Sequence, residues 1–317
     1  MINCFIKRDN RLNVIEGIDS LRDNKDRSSV IWIDMVSPTH EEIKAVEAMF
    51  DINFPTKQES EEIELSSRYW EEDNRIEINS YFLINENNTA SNETVSFILQ
   101  GELLISIRYK NLASFSAFTK RFLTSPREFR NGYSIFCQII DIRIDADADT
   151  IENLSKEIAK IRKHVFTDYS NDDEEILEHI ATFEDLNMKI RENLTDKQRI
   201  LSSLLKCELY NDEKKEIPIM LKDIRSLIEH TNFNFERLDY LQNIFIGILN
   251  IEQNKVIKIF TIVNVIFLPP TLIASIYGMN FEFMPELKWE YGYLLSYGFM
   301  FLSSVTPIAI FKKKGWI

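Results

Sequence analysis

Residues 259–281 read IFTIVNVIFLPPTLIASIYGMNF and contain no charged side chain. At 23 residues, this run is long enough to cross the hydrocarbon core of a bilayer as a helix. A second uncharged run, YGYLLSYGFMFLSSVTPIAIF, occupies residues 291–311 after a gap of only nine residues. The two runs predict a transmembrane hairpin: a first span over about 257–277, an outer loop over 278–290 and a second span over about 291–311.

The charges that flank the two spans predict the orientation of the hairpin. Lys255 and Lys258 precede the first span and Lys312–Lys314 follow the second, whereas the connecting loop carries three glutamates and one lysine. Cytoplasmic flanks are enriched in lysine and arginine, so both termini are predicted to lie in the cytoplasm and only the loop outside. The hairpin is expected in the plasma membrane, which in a bacterium is the inner membrane. The N-terminal residues have no signal-peptide pattern, which agrees with this orientation.

The remainder of the chain has the composition of an acidic soluble domain. Residues 1–258 carry 47 acidic and 33 basic side chains, a net charge of −14. Such a domain repels nucleic acid and attracts cations. The sequence lacks P-loop, GxSxG and GxGxxG patterns, which argues against nucleotide binding and against an enzyme. Its three cysteines, Cys4, Cys137 and Cys207, are widely spaced and predict reduced thiols.

Local patterns divide this acidic part, residues 1–254, from the hairpin at 255–317 and predict an α+β membrane protein. Up to about residue 130, apolar alternation predicts a mixed α/β domain, with a hairpin across Gly101-Glu102 and a helix capped near Ser37-Pro38. Residues 133–217 contain neither glycine nor proline, which predicts long helices with a turn near 168–175. A stalk helix is predicted from near Pro218 into the first span, roughly 90 Å in length.

One face of the stalk helix carries a regular series of mostly polar residues. We call these ten positions the polar seam: Asn243, Gly247, Asn250, Asn254, Ile257, Thr261, Asn264, Leu268, Thr271 and Ser275. Amide and hydroxyl side chains at bilayer depth must face protein or water, because lipid cannot satisfy them. Helix–helix packing remains an alternative, but ten positions in register favour a pore lining, from Asn254 to Ser275 within the membrane. Two spans per chain then require several subunits around an axis.

A second acidic pattern resembles the start of a calcium loop. Asp145-Ala-Asp147-Ala-Asp149 has the spacing of an EF-hand, but its sixth position is Thr150 and its twelfth is Lys156. We interpret the three aspartates as a solvated helix face. No cofactor site is predicted from the histidines, which lack partners at metal-ligand spacing.

The end of the first span resembles a known family. Tyr277-Gly-Met-Asn280, the following FEFMPEL at 281–287, the preceding Leu268-Pro-Pro-Thr271 and the terminal Lys312–Lys314 are similar to the CorA family of magnesium transport channels. The resemblance covers essentially the whole chain. It implies a homopentamer in the lipid bilayer, Mg²⁺ as the transported ion, Co²⁺ and Ni²⁺ as further substrates, and regulatory Mg²⁺ sites between subunits. Asp223 is the candidate ligand of such a site.

The chemistry of Gly278, Met279 and Asn280 suits a hydrated cation. Mg²⁺ keeps its waters, so a neutral amide oxygen on Asn280 from each subunit can accept hydrogen bonds from the hydration shell. The carbonyl end of the first span adds partial negative charge, and Gly278 is predicted to permit a sharp turn there. Glu282 and Glu286 in the outer loop are predicted to raise the local cation concentration.

Two other functions are compatible with these patterns. A zinc transporter of the same superfamily would share the fold, and a membrane-anchored coiled-coil scaffold would share the long helix. The polar seam argues against the scaffold, whose spans could be apolar throughout.

Overall fold

The computed structural model describes residues 1–8, 11–18, 21, 29–60, 68–72, 74–86, 89–167, 173–280 and 282–315. The chain forms two compact units, residues 1–242 and residues 243–317. This boundary falls before residue 254, where the sequence patterns change.

The first unit contains one mixed sheet of seven strands in the order β2-β1-β3-β7-β6-β5-β4. The strands are β1 (Ile2–Arg8), β2 (Arg11–Glu16), β3 (Val30–Val36), β4 (Tyr69–Glu72), β5 (Arg75–Glu86), β6 (Thr89–Gln100) and β7 (Leu103–Arg108). Strands β3 and β7 are parallel, and the other neighbouring pairs are antiparallel. The predicted hairpin across Gly101 is confirmed, and the φ of 58° at this glycine permits its tight turn.

Helices make up most of the remaining residues that the structure describes. They are α1 (His40–Phe50), α2 (Lys57–Ser60), α3 (Ala113–Thr124), α4 (Gly132–Thr167), α5 (Asp173–Lys206), α6 (Ile217–Tyr277) and α7 (Gly292–Lys313). The long helices predicted from the absence of glycine and proline are confirmed as α4 and α5, with 36 and 34 residues. Residues 168–172 of the predicted turn lie outside the described residues. The long helix predicted from near Pro218 is α6, with 61 residues.

The predicted cap of the first helix is wrong by two residues. Thr39, and not Ser37, is the N-cap of α1: its hydroxyl accepts from Glu42 N at 3.2 Å, and its own N–H donates to the Glu42 carboxylate at 2.8 Å. This reciprocal capping box satisfies two donors at the start of the helix. The sequence pattern Thr-x-x-Glu contained that signal.

An aromatic cluster holds α3 against the sheet. Trp32 on β3 stacks on Phe5 of β1, with ring centroids 4.4 Å apart, and contacts Phe118 of α3 edge-on at 5.3 Å. The indole N–H of Trp32 donates to Ser106 Oγ at 3.0 Å, so its polar atom is satisfied in the core. The same unit buries all three cysteines.

A buried group of charged residues links α4 and α5 to β5 and corrects the interpretation of the aspartates. Asp147 is fully buried, not solvated, while Asp145 and Asp149 are exposed. Arg143, one turn earlier, donates to Asp147 Oδ1, and the amino group of the fully buried Lys197 lies 4.0 Å from Oδ2. The Lys197 amino group also donates to the Tyr81 carbonyl of β5 at 2.5 Å. Charge pairing therefore offsets part of the desolvation cost of burying these groups.

Candidate ion pathway in the C-terminal unit

The second unit contains the two predicted spans. Both α6 and α7 include segments long and apolar enough to cross a membrane. Helix α6 ends at Tyr277 and α7 begins at Gly292, and the predicted spans were about 257–277 and about 291–311. An interhelical hydrogen bond joins them: Ser304 Oγ donates to the Ile266 carbonyl at 3.4 Å.

Helix α6 has two different faces in this unit. Its half-buried residues recur at spacings of three and four on the side of Ile266, whose carbonyl is bonded to α7: Ile262, Val265, Ile266, Pro269, Pro270, Ile273 and Tyr277. The polar seam lies on the other side. Nine of its ten residues are exposed in the single chain, and Gly247 is half-buried. The apolar members Ile257 and Leu268 are 52% and 65% exposed.

The seam threonines keep their hydroxyl protons within the helix. Thr261 Oγ1 donates to the Ile257 carbonyl and Thr271 Oγ1 to the Phe267 carbonyl, both at 2.7 Å. Each hydroxyl oxygen therefore presents its lone pairs outward, where they can accept hydrogen bonds from water. The two threonines thus present neutral acceptors on the side of α6 away from α7.

The motif residues Gly278, Met279 and Asn280 come directly after the last turn of α6. Gly278 N donates to the Ala274 carbonyl at 2.9 Å, and Met279 N donates to the Ile276 carbonyl at 3.3 Å. Met279 and Asn280 are exposed, beside the carbonyl end of the helix, where the dipole favours a cation. Phe281 lies outside the described residues.

A turn follows α6 at Gly278, as predicted, but it is not a left-handed turn that favours glycine. The φ of Gly278 is not positive, so the backbone there does not require glycine. The close approach of the preceding turn restricts this site instead: a Cβ on Gly278 would lie 3.2 Å from the Ala274 carbonyl oxygen. A larger residue would therefore displace the start of the motif by a few tenths of an ångström.

The outer loop depends on a glycine that the sequence analysis did not single out. Gly292 is buried at the start of α7, and a Cβ there would lie 2.1 Å from the Glu286 carbonyl oxygen. Its N–H donates to the Trp289 carbonyl at 2.9 Å. Glu282 and Glu286 are both exposed in this loop. The contact depends on how the loop folds back, so no local pattern in the sequence signals it.

Asp223 lies on α6 in the first unit, close enough to Asp141 and Asp145 of α4 for its charge to act on both. Burial raises the pKa of Asp141 above its ordinary value, and the negative charges of Glu216 and Asp223 raise it further. Asp145 is exposed but partly shielded from water by its neighbours, and this partial desolvation is the first cause of its raised pKa, followed by the negative charges of Asp141, Asp149 and Asp223. Asp223 is therefore one of a group of repelling carboxylates. Among the described residues, no three histidine, cysteine or acidic side chains of one chain are arranged to hold a metal ion.

Comparison with known proteins gives a consistent result over the whole chain. The family model described as CorA-like Mg²⁺ transporter protein matches residues 27–313. The magnesium transport protein CorA of Wolinella succinogenes is 44% identical, and that of Escherichia coli 34% identical, each over the full length of both chains.

Comparison with solved structures also matches this fold to a CorA transporter. The complete structure of the CorA magnesium transporter from Methanocaldococcus jannaschii superposes with a TM-score of 0.82 at 20% identity, over 100% of this chain and 99% of that one. Its layout matches the sheet domain, long helix and two apolar C-terminal helices described above. The chain belongs to the CorA family of magnesium transporters.

Proposed function

We propose that this chain forms a homopentameric channel in the bacterial inner membrane and carries Mg²⁺ into the cytoplasm. The observation that carries the proposal is the exposure of the polar seam on the side of α6 away from α7. Exposed amides and hydroxyls along a lipid-facing helix would be costly, whereas around a central axis they would line a wet pore. Family membership supports magnesium as the ion.

The pore would run from the motif inwards along Ser275, Thr271, Leu268, Asn264, Thr261, Ile257 and Asn254. At its outer end, Asn280 from each subunit would accept hydrogen bonds from the waters of hydrated Mg²⁺, and the helix carbonyl ends would stabilise its charge. Neutral acceptors bind weakly enough to release the ion. Gly278 and Met279 would set the position of Asn280.

Uptake in this scheme needs no chemical fuel. Moving a divalent cation inwards gains about 4.6 kcal/mol per 100 mV of inside-negative potential. Glu282 and Glu286, both exposed in the outer loop, would concentrate cations at the mouth. This effect is screened by salt, so these glutamates should matter less than Asn280.

Cytoplasmic Mg²⁺ would close the channel. Asp223 and its neighbours on α4 repel one another in the single chain, and subunits that each carry many negative charges would repel in the same way. Mg²⁺ that bridges carboxylates between subunits would relieve this repulsion and favour a closed, symmetric assembly. Loss of that Mg²⁺ would free the subunits to move apart.

Flux into proteoliposomes tests the proposal. With an inside-negative potential, the purified protein should admit Mg²⁺, and external Co²⁺ and Ni²⁺ should compete. Stronger uptake of Zn²⁺ than of Mg²⁺ would identify a zinc transporter instead. The absence of any divalent flux from a correctly assembled protein would favour the membrane-anchored scaffold.

A further inference from the structure

Two adjacent prolines interrupt the hydrogen bonding of α6 inside the membrane segment. Pro269 and Pro270 lie within the helix and have no backbone N–H, so the carbonyls of Val265 and Ile266, four residues earlier, lose their usual donors. Water is absent from the hydrocarbon core, and an unsatisfied carbonyl there is costly. Helix α6 nevertheless continues without a break to Tyr277.

A side chain of the second span supplies one of the missing donors. The half-buried Ser304 of α7 donates its hydroxyl proton to the Ile266 carbonyl at 3.4 Å. Other hydroxyls of this unit donate to carbonyls of their own helix: those of Thr261, Thr271, Ser296, Ser303 and Thr306. The contrast is clearest for the adjacent Ser303, which donates to the Met300 carbonyl at 2.9 Å.

The position of this bond relates it to the polar seam. The two prolines stand between Leu268 and Thr271, which are both exposed seam residues. Proline weakens the helix locally, because it removes a hydrogen bond and its ring crowds the carbonyl one turn earlier. A contact that holds this segment against α7 therefore also fixes where those two seam side chains point.

We propose that Ser304 is a positioning residue for the pore-lining helix: its hydroxyl replaces the backbone donor that Pro270 lacks and so holds the proline segment of α6 against α7. The inference rests on the proposed channel function, since it assigns Ser304 an effect on the seam. Without the hydroxyl, the segment around Leu268 bends more freely and the closed pore seals less well.

Three single variants separate this role from packing. We expect Ser304→Ala to raise the Mg²⁺ flux that persists at inhibitory cytoplasmic Mg²⁺ by about threefold to tenfold, the size that one hydrogen bond between helices in a bilayer would give. Ser303→Ala, the matched control, removes the neighbouring hydroxyl and should leave this flux unchanged. Ser304→Thr keeps the donor and should restore tight closure. Equal effects of the two alanine variants would overturn the proposal.

A double-mutant cycle tests the pairing with Pro270 directly. Pro270→Ala returns a backbone N–H that can reach the Ile266 carbonyl, so Ser304→Ala should then have no further effect. Additive effects of the two changes would contradict the proposed replacement of the donor.

A second readout of the same cycle does not depend on transport. In the full-length protein in detergent, Ser304→Ala should lower the thermal midpoint of unfolding, and this loss should disappear in the Pro270→Ala background. If wild type moved no Mg²⁺, the channel proposal and the effect of Ser304 on closure would both fail, while the thermal cycle would still decide whether the hydroxyl replaces the missing donor. Equal thermal losses in both backgrounds would exclude that replacement.

Discussion

Asn280 is the side chain that the proposed ion recognition depends on most. Asn280→Ala removes an amide oxygen from every subunit at once, and each such hydrogen bond contributes about 1 kcal/mol, so Mg²⁺ uptake should fall by about tenfold or more. Assembly should be unchanged, because the side chain is exposed. Flux into proteoliposomes measures the loss, and Asn153→Ala, an exposed amide on α4, is the control. Uptake near that of the control would exclude a role in recognition.

Lys197 gives a pH dependence whose sign follows from its burial. Burial lowers the pKa of Lys197 to about 8, partly offset by the negative charge of Asp147. As the pH rises above about 8, the folded protein releases this proton while the unfolded chain still holds it, up to the ordinary value of 10.5. The contribution of this lysine to stability therefore increases with pH in that window.

The thermal midpoints of wild type and Lys197→Met measure this contribution. Between about pH 8 and pH 10, the thermal midpoint of wild type should rise relative to that of Lys197→Met, because the two chains share all other titrating groups. A constant difference between the two midpoints would mean that Lys197 titrates normally in the folded protein.

The apolar residues of the polar seam on α6 allow a test of how the pore closes. Ile257 and Val256 are neighbours on this helix and are both 52% exposed, but only Ile257 belongs to the seam. If apolar seam residues close the pore by dewetting, Ile257→Asn should leak in the closed state and Val256→Asn should not. Current at high cytoplasmic Mg²⁺ measures the leak. If both variants only destabilise the assembly, the seam is a packing surface.

The sequence predicted the elements well where their signals were local. The start of α6 near Pro218 and its unbroken run to Tyr277 follow from patterns along one segment. Asp147 and Ser304 could not be interpreted in this way. The burial of Asp147 depends on Lys197, which lies on another helix, and the role of Ser304 depends on its alignment with Ile266. Such alignments between distant segments leave no periodic pattern in a single sequence.

Accessibility of engineered cysteines tests the orientation of the whole molecule. Phe283 is 85% exposed in the outer loop, and Phe283→Cys should react with an impermeant maleimide applied to intact cells. Lys313→Cys, at the end of α7, should react only after the membrane is opened. The lysines that flank the spans favour this arrangement. Outside labelling at position 313 would reverse the proposed topology.

Feedback by Mg²⁺ is a second property of the assembly. Asp223→Asn removes one carboxylate per subunit from the acidic group beside α4, so more cytoplasmic Mg²⁺ should be needed for closure, by about threefold, the effect expected of an exposed charge. Currents recorded while cytoplasmic Mg²⁺ is stepped from zero to several millimolar measure this shift. Glu208→Gln is the control at an exposed site off α6. An unchanged response in Asp223→Asn would remove this residue from regulation.

The three buried thiols have a consequence for oxidative stress. Burial raises the pKa of Cys4 and of Cys137 to about 12, and burial is also the main cause of the raised pKa of Cys207. Oxidants such as peroxide attack the thiolate, which is scarce at neutral pH in all three. Peroxide should therefore react slowly with these three cysteines, and oxidative stress should leave them as free thiols for as long as the domain that buries them stays folded.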